Sequence, residues 1–198
     1  MAPKIDTKLT GSAGEHYVCS MLARYGWAAS LTRDGLERTD LLAVHSIRRD
    51  MIEVQVKTVR TGSWMLGRKG TLHDRSGREW YVFVKLGQPP GLPESYVVPR
   101  DHVAAATWIG HQEWLTNPDV PTGKRNTQLD MARIGAEVWA SYRDRWDQLG
   151  PDAREVPVRL PSWMRDAIDW ERVGLPPDHP WNDRDRMPSW VDDESIGS

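Results

Sequence analysis

The sequence predicts a layered α/β domain with a mixed sheet flanked by helices, closed by an irregular C-terminal tail. Three observations lead there. Val18, Met21, Leu22 and Tyr25 recur at helical spacing. Five short segments rich in β-branched or apolar residues follow, separated by polar turns. Helical signals return only after residue 100. The order of helix, three strands, loop, two strands and helices belongs to an α/β or α+β layered domain.

The first helix is expected from Ser12 to Tyr25, with Gly26 where a helix end favours a left-handed residue. Strands are expected at Trp27–Leu31, Asp40–Val44 and Met51–Val59. Thr61 to Arg78 is glycine-rich and basic and reads as a mobile loop. Two more strands, Trp80–Leu86 and Tyr96–Val98, are joined by a turn that Pro89, Pro90, Gly91 and Pro93 impose. Asp101 can cap a short helix through Thr107. A second short helix is expected at His111–Thr116, and a longer one from Asp130 to Leu149. From Gly150 onward prolines break the chain too often for a second core, so residues 1–150 are expected as the domain. Residues 151–198 then form an acidic tail, anchored on the domain or a partner by Trp163, Trp170, Trp181 and Trp190.

Only 39% of the 198 residues are apolar and the mean hydropathy is −0.61, yet 11 tryptophans let a modest apolar count bury a large area. That composition is globular. A single cysteine, Cys19, excludes an internal disulfide, and the absence of a CxxC or His/Cys cluster speaks against structural zinc. The expected setting is soluble and cytoplasmic, without a signal peptide or membrane span. Residues 1–100 carry 15 Lys and Arg against 10 Asp and Glu, whereas residues 101–198 carry 11 against 18. A basic first half suits a polyanionic partner, although solvated basic faces are commoner.

The chemistry concentrates on Met51–Val59. Ile52, Val54, Val56 and Thr58 take one face of this strand, and Glu53, Gln55 and Lys57 take the other. If the preceding strand folds back through a His45–Asp50 turn, Val44 lies opposite Met51, Leu42 opposite Glu53 and Asp40 opposite Gln55. Cβ atoms so paired are about 4.5–5.5 Å apart. A carboxylate and an amide oxygen at that separation can share Mg²⁺, a hard cation that takes oxygen ligands and fills its remaining positions with water. Lys57, one pleat on, can hold an attacking water or neutralise a phosphate. The plainer reading is a half-buried strand with one wet face. Against it, the same register places Leu42 and Val44 beside the polar groups, and charges next to covered apolar surface need partners or a metal. Glu15 flanks the helix stripe and can point at the sheet, but Ser12–Glu15 also matches an S-x-x-E capping box, which would occupy it locally.

Gly11–Glu15 at a helix start, Asp40 heading a strand after Thr39, and Gln55-Val56-Lys57-Thr58 ending the next together resemble the PD-(D/E)xK nuclease superfamily. The likeness is to its restriction-endonuclease-like and Holliday-junction-resolvase-like branches, over roughly Gly11–Val103. The resemblance implies a restriction-endonuclease-like core of helix, three- or four-stranded sheet and second helix, and Mg²⁺-dependent cleavage of DNA or RNA, with Mn²⁺ as a substitute. It further implies Asp40, Gln55 and Glu15 as metal-side ligands, Lys57 at the attacking water, and a homodimer as one arrangement for cutting two strands. The chain departs from the pattern at Thr39, where the motif has proline, and at Gln55, where it has an acid. Losing that charge weakens metal binding unless Glu15 or Glu53 compensates.

The basic loop offers Arg60, Arg68, Lys69, Arg75 and Arg78 to backbone phosphates, and Trp64 for stacking on a base. The six histidines lack HxxxH or HExxH spacing and read as structural or surface residues. Thr122-Gly123-Lys124 lacks the earlier glycine of a phosphate loop. The leading expectation is a nuclease, acting on DNA more than RNA. Its rivals are a catalytically weakened module that binds nucleic acid or a protein partner, and an interaction protein working through its acidic second half.

Overall fold

The computed structural model describes residues 6–32, 38–119 and 128–191. In chain order these form α1 (Thr7–Arg24), β1 (Trp27–Leu31), β2 (Leu41–His45), β3 (Met51–Val59), β4 (Trp64–Met65), β5 (Glu79–Lys85), β6 (Glu94–Pro99), α2 (Arg100–Thr116), β7 (Arg133–Ile134) and α3 (Ser162–Ala167), with short 3-10 turns among them. Two compact units use the chain alternately. The first takes Met1–Gly62, Arg75–Pro99 and Tyr142–Ala153; the second takes Ser63–Asp74, Arg100–Ser141 and Arg154–Ser198.

The first unit is a mixed five-stranded sheet in the order β1-β2-β3-β5-β6, antiparallel except where β3 runs parallel to β5. Its β2–β3 register pairs Leu42 with Glu53 and Val44 with Met51, as the alternation predicts. One face is mainly apolar: Leu41, Ala43, Ile52, Val54, Trp80, Val82 and Val97 are fully buried. The buried stripe of α1, Gly14, Val18 and Leu22, belongs to this layer. The segment after Ser141 adds to it: Trp146 stacks on Tyr25 with ring centroids 6.3 Å apart, and the Trp80 indole donates to the Gly150 carbonyl over 3.1 Å.

Helix α1 starts five residues earlier than its capping-box signal suggests. Asp6 is the N-cap, its carboxylate accepting the Lys8 N–H over 2.9 Å, so Ser12 lies inside the helix. The helix ends as expected, with Gly26 at φ +83°. A second deviation is the stretch 131–149. Its apolar residues keep helical phase, but Ala132 accepts backbone bonds from Leu66 and Gly67, and Asp144 adopts φ +52°; the chain therefore makes 3-10 turns and the short strand β7.

In the second unit, α2 is one continuous helix where two short ones are expected. Gly110 does not break it, because the missing side chain lets the helix approach Ile134, whose Cδ1 would lie 3.1 Å from a Cβ there. The glycine-rich basic segment is also ordered: β4 pairs with β7, Trp64 opposite Ile134, and Arg68–Thr71 forms a 3-10 turn. Residues beyond 153 pack into this unit through α3 and through the Trp108 indole, which donates to the Val173 carbonyl over 3.0 Å. Of the four expected tryptophan anchors, Trp181 is fully buried whereas Trp163 is 39% exposed. No described helix is long and apolar enough to cross a membrane.

The closest approach in the first unit is Gly14 against Thr58. A Cβ on residue 14 would overlap Thr58 Oγ1 and stand 2.8 Å from its Cγ2. Alanine favours a helix interior over glycine by about 1 kcal/mol, but overpacking costs about 1–3 kcal/mol. Gly14→Ala is therefore expected to lower the urea midpoint, and adding Thr58→Ala to recover part of the loss. A Gly14→Ala protein at least as stable as wild type would contradict the contact.

Candidate active site

The polar face of β3 lies opposite the α1 layer. Asp40 precedes β2, held in line by its backbone: its N–H donates to the Val54 carbonyl and its carbonyl accepts the Thr32 N–H, each over 2.9 Å. The carboxylate turns back across the hairpin. Asp40 Oδ2 accepts the Val56 backbone N–H over 2.7 Å and a short hydrogen bond from the Gln55 side-chain amide. The pairing of Asp40 with Gln55 thus follows from the register, as the sequence predicts. Among the described residues, neither Asp40 Oδ1 nor the Gln55 side-chain oxygen takes a hydrogen bond, so two oxygen donors remain uncommitted at this point. The amide orientation follows from the bond it makes; turned about its last torsion, Gln55 presents oxygen where it now presents nitrogen.

Glu53 is engaged elsewhere. Its two oxygens accept the Thr39 hydroxyl at 3.2 Å and the Ser76 hydroxyl at 3.4 Å. Beside it in the parallel register stands Glu79, whose carboxylate pairs with Arg38 over 2.7 Å with both side chains nearly buried. These contacts fix the acids at the starts of β3 and β5 and leave Glu53 a structural part beside the Asp40–Gln55 pair. Lys57 shares the face of Gln55 and sits in register with Phe83 of β5, while Gln55 faces Tyr81. Phe83 and Tyr81 are buried and stack with centroids 5.5 Å apart, so Lys57 rises from an apolar floor.

Glu15 lies in the third turn of α1, half-buried, next to the Gly14 contact with Thr58. With the helix capped at Asp6, the capping-box role that competed for Glu15 is gone. Its carboxylate is one cause that raises the Cys19 thiol pKa, after burial. Among the described residues no three of His, Cys, Asp and Glu converge as a metal cluster. A cation held at Asp40 would therefore depend on one carboxylate, an amide oxygen, water and the substrate's own phosphates.

The basic residues separate. Arg60, Arg75 and Arg78 belong to the first unit, Trp64, Arg68 and Lys69 to the second. Arg75 and Arg78 are exposed, as are Arg68 and Lys69. Trp64 is 1% exposed, a core residue of the β4–β7 pair whose ring has no open face for a base. Thr122-Gly123-Lys124 lies outside the described residues.

The sequence reading passed over a second polar cluster, in the second unit. A cavity of about 530 Å³ is lined by His73, Asp74, Asp101, Arg154 and Asp185 among others. Asp74 is buried and pairs with Arg154 over 3.2 Å, and its N–H donates to Asp101 Oδ1 over 2.7 Å. Burial pushes the Asp101 carboxyl up to about 6, the neighbouring Asp74 charge adding to it against the Asp74 N–H. Behind it, His179 Nε2–H donates to the Asp101 carbonyl over 3.0 Å while Nδ1 accepts the Trp181 N–H, which fixes a neutral ring. Burial holds His179 down at about 4 and His102 at about 3. No local motif marks these residues, because they come from separate segments.

Compared with known proteins, the chain matches no family model, no curated protein and no solved structure.

The buried groups set a pH dependence. Asp101 titrates higher folded than unfolded, so its contribution is present in acid and lost as pH rises from about 4 through about 6. His102 and His179 titrate lower folded than unfolded, so theirs is present above about 6.5 and lost as pH falls towards 3 to 4. Two histidines oppose one aspartate. Stability is expected to fall on acidification below pH 6.5 by about 1.4 kcal/mol per pH unit for each unbalanced proton. Thermal midpoints between pH 7 and 4.5 test this, and His102→Gln should flatten the slope. A midpoint unchanged over that range would contradict the neutral buried pair.

Proposed function

We propose that the chain is a divalent-metal-dependent nuclease with its site at Asp40, Gln55 and Lys57, and that its first unit is a restriction-endonuclease-like domain. The observation that carries the reading is the joining of Asp40 to Gln55 across the β2–β3 hairpin, with Lys57 one pleat further on the same face. The order of elements supports it: helix α1, the strands of the mixed sheet and helix α2 follow one another in the order of helix, sheet and second helix that the PD-(D/E)xK resemblance implies.

The uncommitted oxygens of Asp40 and Gln55 fit a hard cation such as Mg²⁺ or Mn²⁺. Such an ion, when bound, lowers the pKa of a water and offsets charge on the phosphate. The chain's own groups supply the rest. Hydrogen bonds from Val56 and Gln55 fix Asp40 before any substrate arrives, so its placement needs no reorganisation. The Lys57 ammonium, standing over buried aromatics, orients the attacking water or steadies the phosphate oxygens. Exposed Arg75 and Arg78 offer charge to the backbone of a nucleic acid, DNA more than RNA.

A second reading has a specific observation in its favour. Gln55 brings no charge and its amide satisfies Asp40 directly, which leaves the site stable without metal. The same face would then serve a module that binds nucleic acid or a protein partner without cutting.

Cleavage of plasmid and of labelled DNA and RNA oligonucleotides with Mg²⁺ or Mn²⁺ separates the two. Asp40→Ala and Lys57→Ala are expected to reduce the rate about 100-fold or more, a usual cost of losing a group that acts in the transition state. Gln55→Glu, restoring a second carboxylate, should tighten metal binding measured by calorimetry. If wild type cuts none of these substrates, or the alanine variants cut as fast, the enzyme reading falls.

A further inference from the structure

The second unit holds an apolar cavity of about 400 Å³ lined by Gly110, His111, Trp114, Met131, Ala132 and Arg133. Trp114 and Met131 are 43% and 44% exposed there, unusual for side chains of that size. The indole is not loose. It stacks on the buried His111 ring one turn earlier on α2, with centroids 6.2 Å apart and planes within 26°. One broad aromatic face is thus fixed and left open.

Charge narrows what can occupy it. The two-residue strand β7 alternates, so Ile134 enters the core opposite Trp64 and Arg133 turns outward opposite Met65. Arg133 makes no ion pair among the described residues. The acids nearest in sequence to the cavity residues each have a basic partner: Glu113 has Arg172, and Asp130 has Arg68 over 3.6 Å. An open aromatic plane and a guanidinium without an ion pair among the described residues, beside one cavity, are complementary to a flat ring carrying an anion. An aliphatic peptide would use the apolar walls but leave the cation unmatched.

We propose that this cavity takes a base of a single-stranded nucleic acid, stacked on Trp114 with an adjoining phosphate on Arg133. Stacking on an aromatic side chain tolerates every base, so the site discriminates unpaired from paired strands rather than one sequence from another. It fills the role that the buried Trp64 does not. The site is independent of cleavage at Asp40 and stands or falls by binding.

Fluorescence anisotropy in EDTA, with a labelled 12-nucleotide single strand, the matching duplex and an abasic strand of equal charge, tests it. Trp114→Ala is expected to weaken single-strand binding about 5- to 100-fold, while Trp114→Phe stays close to wild type. Arg133→Gln should weaken it several-fold and reduce the salt slope by about one. Wild type should bind the abasic strand as weakly as Trp114→Ala binds the normal one. Equal binding of abasic and normal strands by wild type overturns the proposal. So does a folded Trp114→Ala protein of unchanged affinity, or one that loses only self-association by sedimentation. Should Trp114→Ala fail to fold, the abasic strand and Arg133→Gln, which leave the core intact, decide. Because EDTA prevents metal-dependent cutting, a failed cleavage assay leaves this result readable.

Discussion

The β2–β3 register is the constraint on which the first unit turns. A slip of one residue would carry Leu41, Ala43, Ile52 and Val54 out of the core and bring Asp40 and Gln55 in. The apolar face therefore fixes the polar one. Once Leu41 stands opposite Val54, Asp40 has the Val56 N–H within reach and Gln55 beside it. The site needs no loop to hold it, since both sides of the pair belong to or adjoin strands with buried partners.

Burial also divides the polar groups by task. Glu53 and Glu79 are tied to hydroxyls and to Arg38 near the starts of β3 and β5, where they anchor the entry of both strands. Among the described residues, Asp40 and Gln55 each keep an oxygen that takes no hydrogen bond. Lys57 stands where its neighbours are aromatic and desolvated, a setting that strengthens the field of a cation. In the second unit the acids are handled differently: Asp101 is buried beside Asp74 with one exposed arginine near, and neutral histidines sit behind it.

Much of the first unit was legible. Five apolar or β-branched segments between polar and proline-rich turns placed the strands of the sheet, and strict alternation in Met51–Val59 with the His45–Asp50 link paired Asp40 with Gln55. Helix limits were harder, because Ser12-x-x-Glu15 matches a capping box although the helix is capped by Asp6, well before it in the chain. Residues 131–149 misled for a deeper reason. Their helical phase serves packing at Ile134, Val138 and Tyr142, but the backbone hydrogen bonds go to Leu66 and Ser95, partners far away in sequence. The open indole of Trp114 was equally invisible, since exposure depends on what does not pack against a residue. Trp64, by contrast, looked available only because glycines surround it.

The two units exchange the chain five times, at 62/63, 74/75, 99/100, 141/142 and 153/154. Neither is therefore a continuous piece of sequence. Cutting the polypeptide at any one bond leaves each fragment with an incomplete share of at least one unit. The single stretch that carries the whole first unit, residues 1–153, also carries two of the second unit's three segments, and no terminal deletion removes the second unit alone. Duplication or fusion of the first unit therefore copies part of the second with it.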